Sequence, residues 1–160
     1  MMSSLIGLIG VLVGASLSWL ITSRFERRRN AVALYAEFLT SDMEDSRDKA
    51  LRALKINRQS STPLSFQEMF EKEADCLLPV SRVVHFWEKT WYLSKSNYID
   101  SKLTKELLCH YFRSHYQKYL IDFAQLSKKR DDSTYQKWVL AVTELADSWK
   151  IDHKPRARIT

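Results

Sequence analysis

The sequence predicts an all-α protein with one N-terminal transmembrane helix followed by a cytosolic bundle of about four to five helices. Apolar residues recur at intervals of three and four along residues 30–150, which is the spacing of amphipathic helices. No segment alternates apolar and polar residues over the length of a strand, and no internal repeat is present. Residues 1–23 contain no charged side chain, which sets them apart from the rest of the 160-residue chain.

The composition excludes several classes of protein. Apolar residues make up 45% of the chain and aromatic residues 12%, which is enough for a packed core. Two cysteines and three glycines exclude a disulfide-stapled secreted scaffold and a collagen-like chain. No glycine follows Gly14, so the glycine-rich turns of P-loops and dinucleotide-binding folds are absent from the remaining sequence.

The net charge of +6 belongs to two short flanks. Residues 24–29 sum to +3, residues 150–160 sum to +3, and the 17 basic and 17 acidic residues between them cancel. We therefore attribute the basicity to membrane topology at the first flank, where positive charges stay on the cytoplasmic side and meet anionic headgroups.

The first predicted element is a transmembrane helix. Residues 3–23 would form about 31 Å of uncharged helix, the thickness of a bilayer core. Trp19 lies near one end, where aromatic rings favour the headgroup level. A cleaved signal peptide is an alternative, but no basic residue precedes the apolar run; a buried core helix is another. The arginines that would fix the orientation and contact headgroups are Arg24, Arg27, Arg28 and Arg29.

These features predict a single-pass membrane protein with its N-terminus outside and its C-terminal domain in the cytoplasm. We expect four segments in order: a transmembrane anchor at 1–23, a basic juxtamembrane segment at 24–29, a helical domain at 30–150 and a basic tail at 151–160.

Small residues recur along one face of the first helix. Gly10 and Gly14 form a G-x-x-x-G motif, which lets two helix backbones approach closely and predicts self-association. The same motif also arises by chance in apolar helices. The face comprises Gly7, Gly10, Gly14 and Ser18.

The following elements are predicted from apolar stripes and capping residues. A first stripe starts at residue 26 and continues to about residue 56, which predicts one long helix. Residues 57–64 are rich in Ser, Thr and Pro and predict a loop. Ser65 and Glu68 form a capping box for a helix ending near residue 78, since Pro79 disfavours helix in the residue before it.

Three further helices complete the prediction. Pro79 opens a helix that ends at a break over residues 96–98. Asp100 or Ser101 caps a long helix that ends near residue 130, where basic side chains suit the helix dipole. Asp132 or Ser133 caps the last helix, which carries Tyr135 and Trp149 and stops before Pro155.

Motifs for catalysis and metal binding are absent from the sequence. His110 and His115 lie about 140° apart around a helix, so they do not share a face. Cys76 and Cys109 lack the C-x-x-C spacing of a zinc site. No nucleophile motif such as G-x-S-x-G occurs. We therefore predict no catalytic residue, no cofactor and no metal, and expect that the protein is not an enzyme.

Aromatic and basic residues interleave over residues 111–119, as in grooves that stack nucleic-acid bases. The alternative is one aromatic core face of a helix, which we favour because residues 30–149 have no net charge. We therefore do not expect nucleic acid as a partner.

The sequence resembles a bacterial family of small single-span membrane proteins whose cytosolic helical domain has no assigned function. The resemblance rests on residues 84–88 (VHFWE), on residues 98–100 (YID), and on a final helix with Tyr135 and Trp149. The resemblance implies a single-pass protein of the bacterial inner membrane and supplies no catalytic residues.

We therefore expect a membrane-anchored interaction or scaffold module that self-associates and binds a protein partner. Glu88, bridging helices, and Asp100, capping one, would be structural. Alternatives are a membrane-associated toxin, a sensor of phage infection or envelope stress, and a membrane-tethered nucleic-acid binder. The residues that could contact lipid or an acidic partner are Lys150, Lys154, Arg156 and Arg158.

Overall fold

The computed structural model describes residues 2–72, 74–129 and 136–153. All regular structure in these ranges is helical, so the prediction of an all-α bundle is confirmed. The elements are α1 (Met2–Phe38), α2 (Ser41–Gln59), α3 (Phe66–Lys72), α4 (Ala74–Lys95), α5 (Ser101–His115), a π-helical segment (Tyr116–Leu120), α6 (Ile121–Lys129) and α7 (Gln136–Trp149).

Helix α1 passes through the arginine-rich segment without a break. It is a single helix of 37 residues, and the side chains of residues 11–22 are all exposed. Its last turns belong to the core, where Ala31, Leu34 and Phe38 are fully buried or nearly so. One half of α1 therefore lies outside the bundle and the other half is part of it.

No helix in the described part of the chain is both long enough and apolar enough to cross a membrane. On this finding the predictions of a transmembrane helix at 1–23 and of a single-pass inner-membrane protein are wrong.

The single helix predicted from residue 26 to about residue 56 is also wrong, because α1 ends at Phe38 and α2 begins at Ser41. Thr40 caps α2 through its Oγ1, which accepts a hydrogen bond from the Met43 N–H at 3.4 Å. Arg47 secures the turn, donating to the Phe38 carbonyl at 3.0 Å and lying 4.0 Å from the centre of its ring. Apolar periodicity continues across the turn, so it gives no sign of the break.

Local capping predictions hold in the middle of the chain. Ser65 Oγ accepts from the Glu68 N–H at 3.3 Å, and Glu68 Oε2 accepts from the Ser65 N–H at 2.7 Å. Asn57 closes the preceding loop through two hydrogen bonds to the Leu64 backbone, of 2.7 and 2.8 Å. Both motifs join residues close in sequence, which is why they can be read from it.

Pro79 does not start a helix as predicted but lies inside α4. A proline inside a helix removes one backbone hydrogen bond and costs about 3 kcal/mol in an isolated helix. The cost is tolerated here because Leu77 and Val80, on either side of it, are buried in the core. Tertiary packing therefore overrides the local preference of the proline.

The predicted break after α4 is confirmed. Asn97 adopts a positive φ of 56°, which turns the chain between α4 and α5. Asp100 then caps α5, its Oδ1 accepting from the Leu103 N–H at 3.0 Å. The π-helical segment joins α5 to α6 as one continuous helical stretch, as the predicted long helix requires.

An aromatic chain crosses the centre of the bundle and joins four helices. Ring centroids lie 5.5 Å apart between Phe38 and Trp87, 4.9 Å between Trp87 and Phe112, and 5.4 Å between Phe112 and Trp149. Phe112 is completely buried, so it packs in the core and is not open to a nucleic-acid base. The predicted cap of the last helix, Asp132 or Ser133, lies outside the described residues, as does Tyr135.

Candidate interaction surface

The part of α1 that leaves the bundle, residues 11–25, is here called the projecting segment. Its large apolar side chains are between 53% and 70% exposed. A helix that is apolar around its whole circumference is normally covered by other protein or by another apolar phase. The exposed side chains are Val11, Leu12, Val13, Leu17, Trp19, Leu20, Ile21 and Phe25.

The base of the projecting segment is attached to the turn that precedes α5. The Asp100 N–H donates to the Arg27 carbonyl at 3.1 Å, and Asn30 Nδ2 donates to the Tyr98 carbonyl at 3.2 Å. Arg27 also donates to the carbonyl and the hydroxyl of Ser23, both at 3.3 Å. The segment therefore starts from a fixed position on the bundle.

Seven exposed positions follow one another along α1 at alternating intervals of three and four residues. At 100° per residue they fall within an arc of about 100°, centred about 135° away from the core-facing residues Ala31, Leu34 and Phe38. This is the heptad spacing of helices that pair side by side. We call this set the outer stripe: Val11, Gly14, Ser18, Ile21, Phe25, Arg28 and Val32.

Gly14 and Ser18 make a small-residue step in the outer stripe. A Cβ atom added at Gly14 would meet nothing within 4 Å, so the site is open in the single chain. A second helix could therefore approach closely at this point. Gly7 and Gly10, which the sequence also places on the small-residue face, belong to α1 but precede its described side chains.

The four arginines of residues 24–29 surround α1 where it meets the bundle, and we call them the arginine collar. Arg24 and Arg28 line one shallow depression together with Asp100. Arg24, Arg28 and Arg29 are exposed, whereas Arg27 is half-buried against Ser23. The collar therefore presents three guanidinium groups to solvent.

The remaining predicted site residues do not join this surface. Glu88 Oε2 lies 3.1 Å from Nδ1 of His85 in its own helix, a contact within α4 that does not bridge helices. Lys150 has a positive φ of 58° and ends α7 with a hydrogen bond from its N–H to the Asp147 carbonyl at 3.0 Å. Lys154, Arg156 and Arg158 lie outside the described residues.

A hydrogen-bonded chain of three side chains, which sequence reasoning missed, fastens the end of the described chain. Tyr116 Oη lies 2.7 Å from His153 Nδ1, and His153 Nε2 lies 2.7 Å from Asp147 Oδ1. The order carboxylate, imidazole, hydroxyl is that of an activated nucleophile. Tyr116 is only 2% exposed, however, and burial raises the pKa of its hydroxyl, so the chain serves attachment. No sequence signal reveals a contact between residues 37 positions apart.

His115 is buried beside the aromatic chain, with its ring 5.9 Å from that of Trp87. Burial, with Arg47 and Lys118 nearby, lowers the pKa of its imidazole to about 4. Its Nδ1 and the Nε1 of Trp87 have no hydrogen-bond partner among the described residues. The same residues contain no group of three His, Cys, Asp or Glu side chains that could hold a metal ion.

No protein-family model, curated protein or solved structure matches this chain.

Proposed function

We propose that the protein is a helical interaction module that assembles with further copies of itself through the outer stripe of α1. The observation that supports this is that the large apolar side chains of the stripe on the projecting segment, Val11, Ile21 and Phe25, are between 55% and 70% exposed. Covering one Val, Leu, Ile or Phe side chain contributes about 1.5–3 kcal/mol, so a partner helix that covers several of them gains substantial free energy.

A second copy is the partner that fits the pattern of the outer stripe. Helices with apolar residues at alternating intervals of three and four wind around each other with a left-handed supercoil, because 3.5 residues per turn keeps the stripe facing the partner. The same stripe on both copies gives an isologous contact, the commonest kind in homo-oligomers. The open position at Gly14 and the small side chain of Ser18 permit close approach.

Cysteine cross-linking in the full chain tests the proposal. Cys76 and Cys109 are first replaced by alanine, and single cysteines are then introduced by Ile21→Cys and Val32→Cys in the stripe. Leu20→Cys and Ala33→Cys are matched controls, since both parent residues are exposed neighbours that point away from the stripe. We expect covalent dimers from the stripe positions and few from the controls. Self-association through this face would be refuted if none of the four single-cysteine variants forms covalent dimers, or if all four form them to the same extent.

A substitution at Gly14 gives a second, independent measurement. Gly14→Leu introduces a large side chain where the single chain has open space, so the bundle should fold unchanged. We expect it to abolish cross-linking at Val32→Cys because two helix backbones can no longer approach, whereas Gly14→Ala should retain most of it. Undiminished cross-linking in Gly14→Leu would show that the stripe does not mediate the contact.

A further inference from the structure

Resting on this self-association, we propose that anions carrying several phosphate charges bind the arginine collar and control the pairing of α1. Arg24, Arg28 and Arg29 are exposed and, within the described chain, form no hydrogen bond or ion pair with another residue. Glu26 lies about 160° around the helix from Arg24 and Arg28 and about 60° from Arg29, and Asp100 lines the same depression as Arg24 and Arg28. Within the described residues neither carboxylate forms an ion pair with these arginines, so the three guanidinium groups can bind an external anion.

The direction of pairing follows from the extent of the outer stripe. In a parallel pair with the two copies in register, all seven stripe positions meet their counterparts, from Val11 to Val32. In an antiparallel pair centred on Gly14, Val32 would lie beyond the end of the partner helix and stay uncovered. An antiparallel pair centred on the middle of the stripe would cover all seven positions, but it would place Gly14 of one copy opposite residues 28–29 of the other. Only the parallel arrangement both covers the whole stripe and brings the two open Gly14 positions together, so it is favoured.

Parallel pairing brings the two arginine collars together. Arg28 occupies a position of the stripe itself, and Arg24 and Arg29 flank the stripe on its two sides, at the positions where paired helices place interhelical charges. Three guanidinium groups from each copy then lie within about two helical turns. Like charges at these positions oppose pairing. Arg28 adds to this opposition, because it places a charged side chain at a position of the stripe that would meet its counterpart.

A multivalent phosphate removes this opposition. The guanidinium fork binds phosphate oxygens through two parallel hydrogen bonds, and one anion with several phosphoryl groups reaches arginines of both copies. A monovalent salt screens the charges without bridging them. Headgroup phosphates and free polyphosphates share this chemistry, so the experiment must distinguish the two sources.

The test titrates the full-length Val32→Cys chain, lacking Cys76 and Cys109, with inorganic tripolyphosphate at constant ionic strength. We expect the yield of cross-linked dimer to rise by about fivefold or more, the lower end of usual coupling between two ligands. Sodium chloride at equal ionic strength should give a smaller rise. A parallel experiment uses vesicles of phosphatidylglycerol in place of tripolyphosphate. Increased cross-linking with the vesicles alone would assign the phosphate to lipid headgroups. Increased cross-linking with tripolyphosphate alone would assign it to a free anion.

Charge-removing variants separate this inference from the proposed function. A triple variant without the charges of the collar should give high cross-linking in the absence of any anion, and its cross-linking should not increase further with tripolyphosphate. The three substitutions are Arg24→Gln, Arg28→Gln and Arg29→Gln. Arg52→Gln removes an exposed arginine of α2 outside the collar and should behave as the parent chain. Cross-linking that ignores both phosphate probes and the collar variants would overturn the anion inference alone. Absence of cross-linking in every variant, including the triple one, would overturn the self-association on which it rests.

Discussion

The backbone N–H of Asp100 donates to the carbonyl oxygen of Arg27 at 3.1 Å, and this bond joins the start of α5 to the base of the projecting segment. The carboxylate of Asp100 simultaneously caps α5 through the Leu103 N–H. One residue therefore fixes both the first turn of a core helix and the point where α1 leaves the bundle.

Removing this carboxylate should destabilise the bundle measurably. Asp100→Ala leaves the Leu103 N–H without its cap, and we expect a loss of about 0.5–2 kcal/mol in the free energy of unfolding. Asp100→Asn retains a capping oxygen and should lose much less. Urea unfolding followed by far-UV circular dichroism measures both, and equal stability of the alanine and asparagine variants would contradict the capping role.

The stability of the bundle should fall on mild acidification because of His115. Its pKa is about 4 in the folded protein and 6.5 when unperturbed, so the unfolded chain binds the proton more readily between these values. The contribution of His115 to the free energy of unfolding is therefore fully present above about pH 6.5. It is lost as the pH falls toward 4, by about 3 kcal/mol in total. Urea unfolding at pH 7.5, 6 and 5 tests this.

The matched variant for this pH dependence is His115→Phe, which fills the site without a titratable group. Its unfolding free energy should change less between pH 7.5 and 5 than that of the parent chain. If the two proteins show the same pH dependence, the proton is taken up elsewhere.

Two tryptophans should differ strongly in their effect on stability. Trp87 is fully buried and contacts Phe38 and Phe112, so Trp87→Ala should cost about 3–5 kcal/mol. Trp19 is 69% exposed on the projecting segment, and Trp19→Ala should change the unfolding free energy by about 0.5 kcal/mol or less. A large loss in the Trp19 variant would show that the projecting segment is packed in the native state.

The hydrogen bond between Tyr116 and His153 should contribute to the attachment of residues 151–153. We expect His153→Ala to cost about 1–2 kcal/mol, since it leaves the buried Tyr116 hydroxyl without this partner. In the Tyr116→Phe background the same substitution should cost less, because no hydroxyl remains to be satisfied. A double-mutant cycle by chemical denaturation gives the coupling energy; additive effects would argue against the bond.

The parts of the fold that sequence reasoning predicted correctly depend on short-range contacts. The caps by Ser65 and Asp100 each join a side chain to the backbone three residues ahead, and residue type reveals them. The turn at Thr40 was missed because the apolar stripe continues through it. The helix at Pro79 was missed because distant core contacts decide its conformation.

The candidate surface was predicted in part. The small residues Gly14 and Ser18 and the arginine collar are apparent from the sequence, although the transmembrane role assigned to them is wrong. The outer stripe was not recognised because Arg28 interrupts its apolar pattern, and because only the fold shows which side of α1 the core occupies. The link between Tyr116 and His153 depends on packing alone.

The continuity of α1 connects the projecting segment rigidly to the core of the bundle. Phe25 outside the bundle and Phe38 in its aromatic chain are 13 residues apart on one unbroken helix, a distance of about 20 Å. Because the helix does not break between them, the position of Phe25 outside the bundle is fixed relative to Phe38 and to Trp87, which Phe38 contacts. A group bound to the projecting segment would therefore be held at a set distance and angle from the centre of the core.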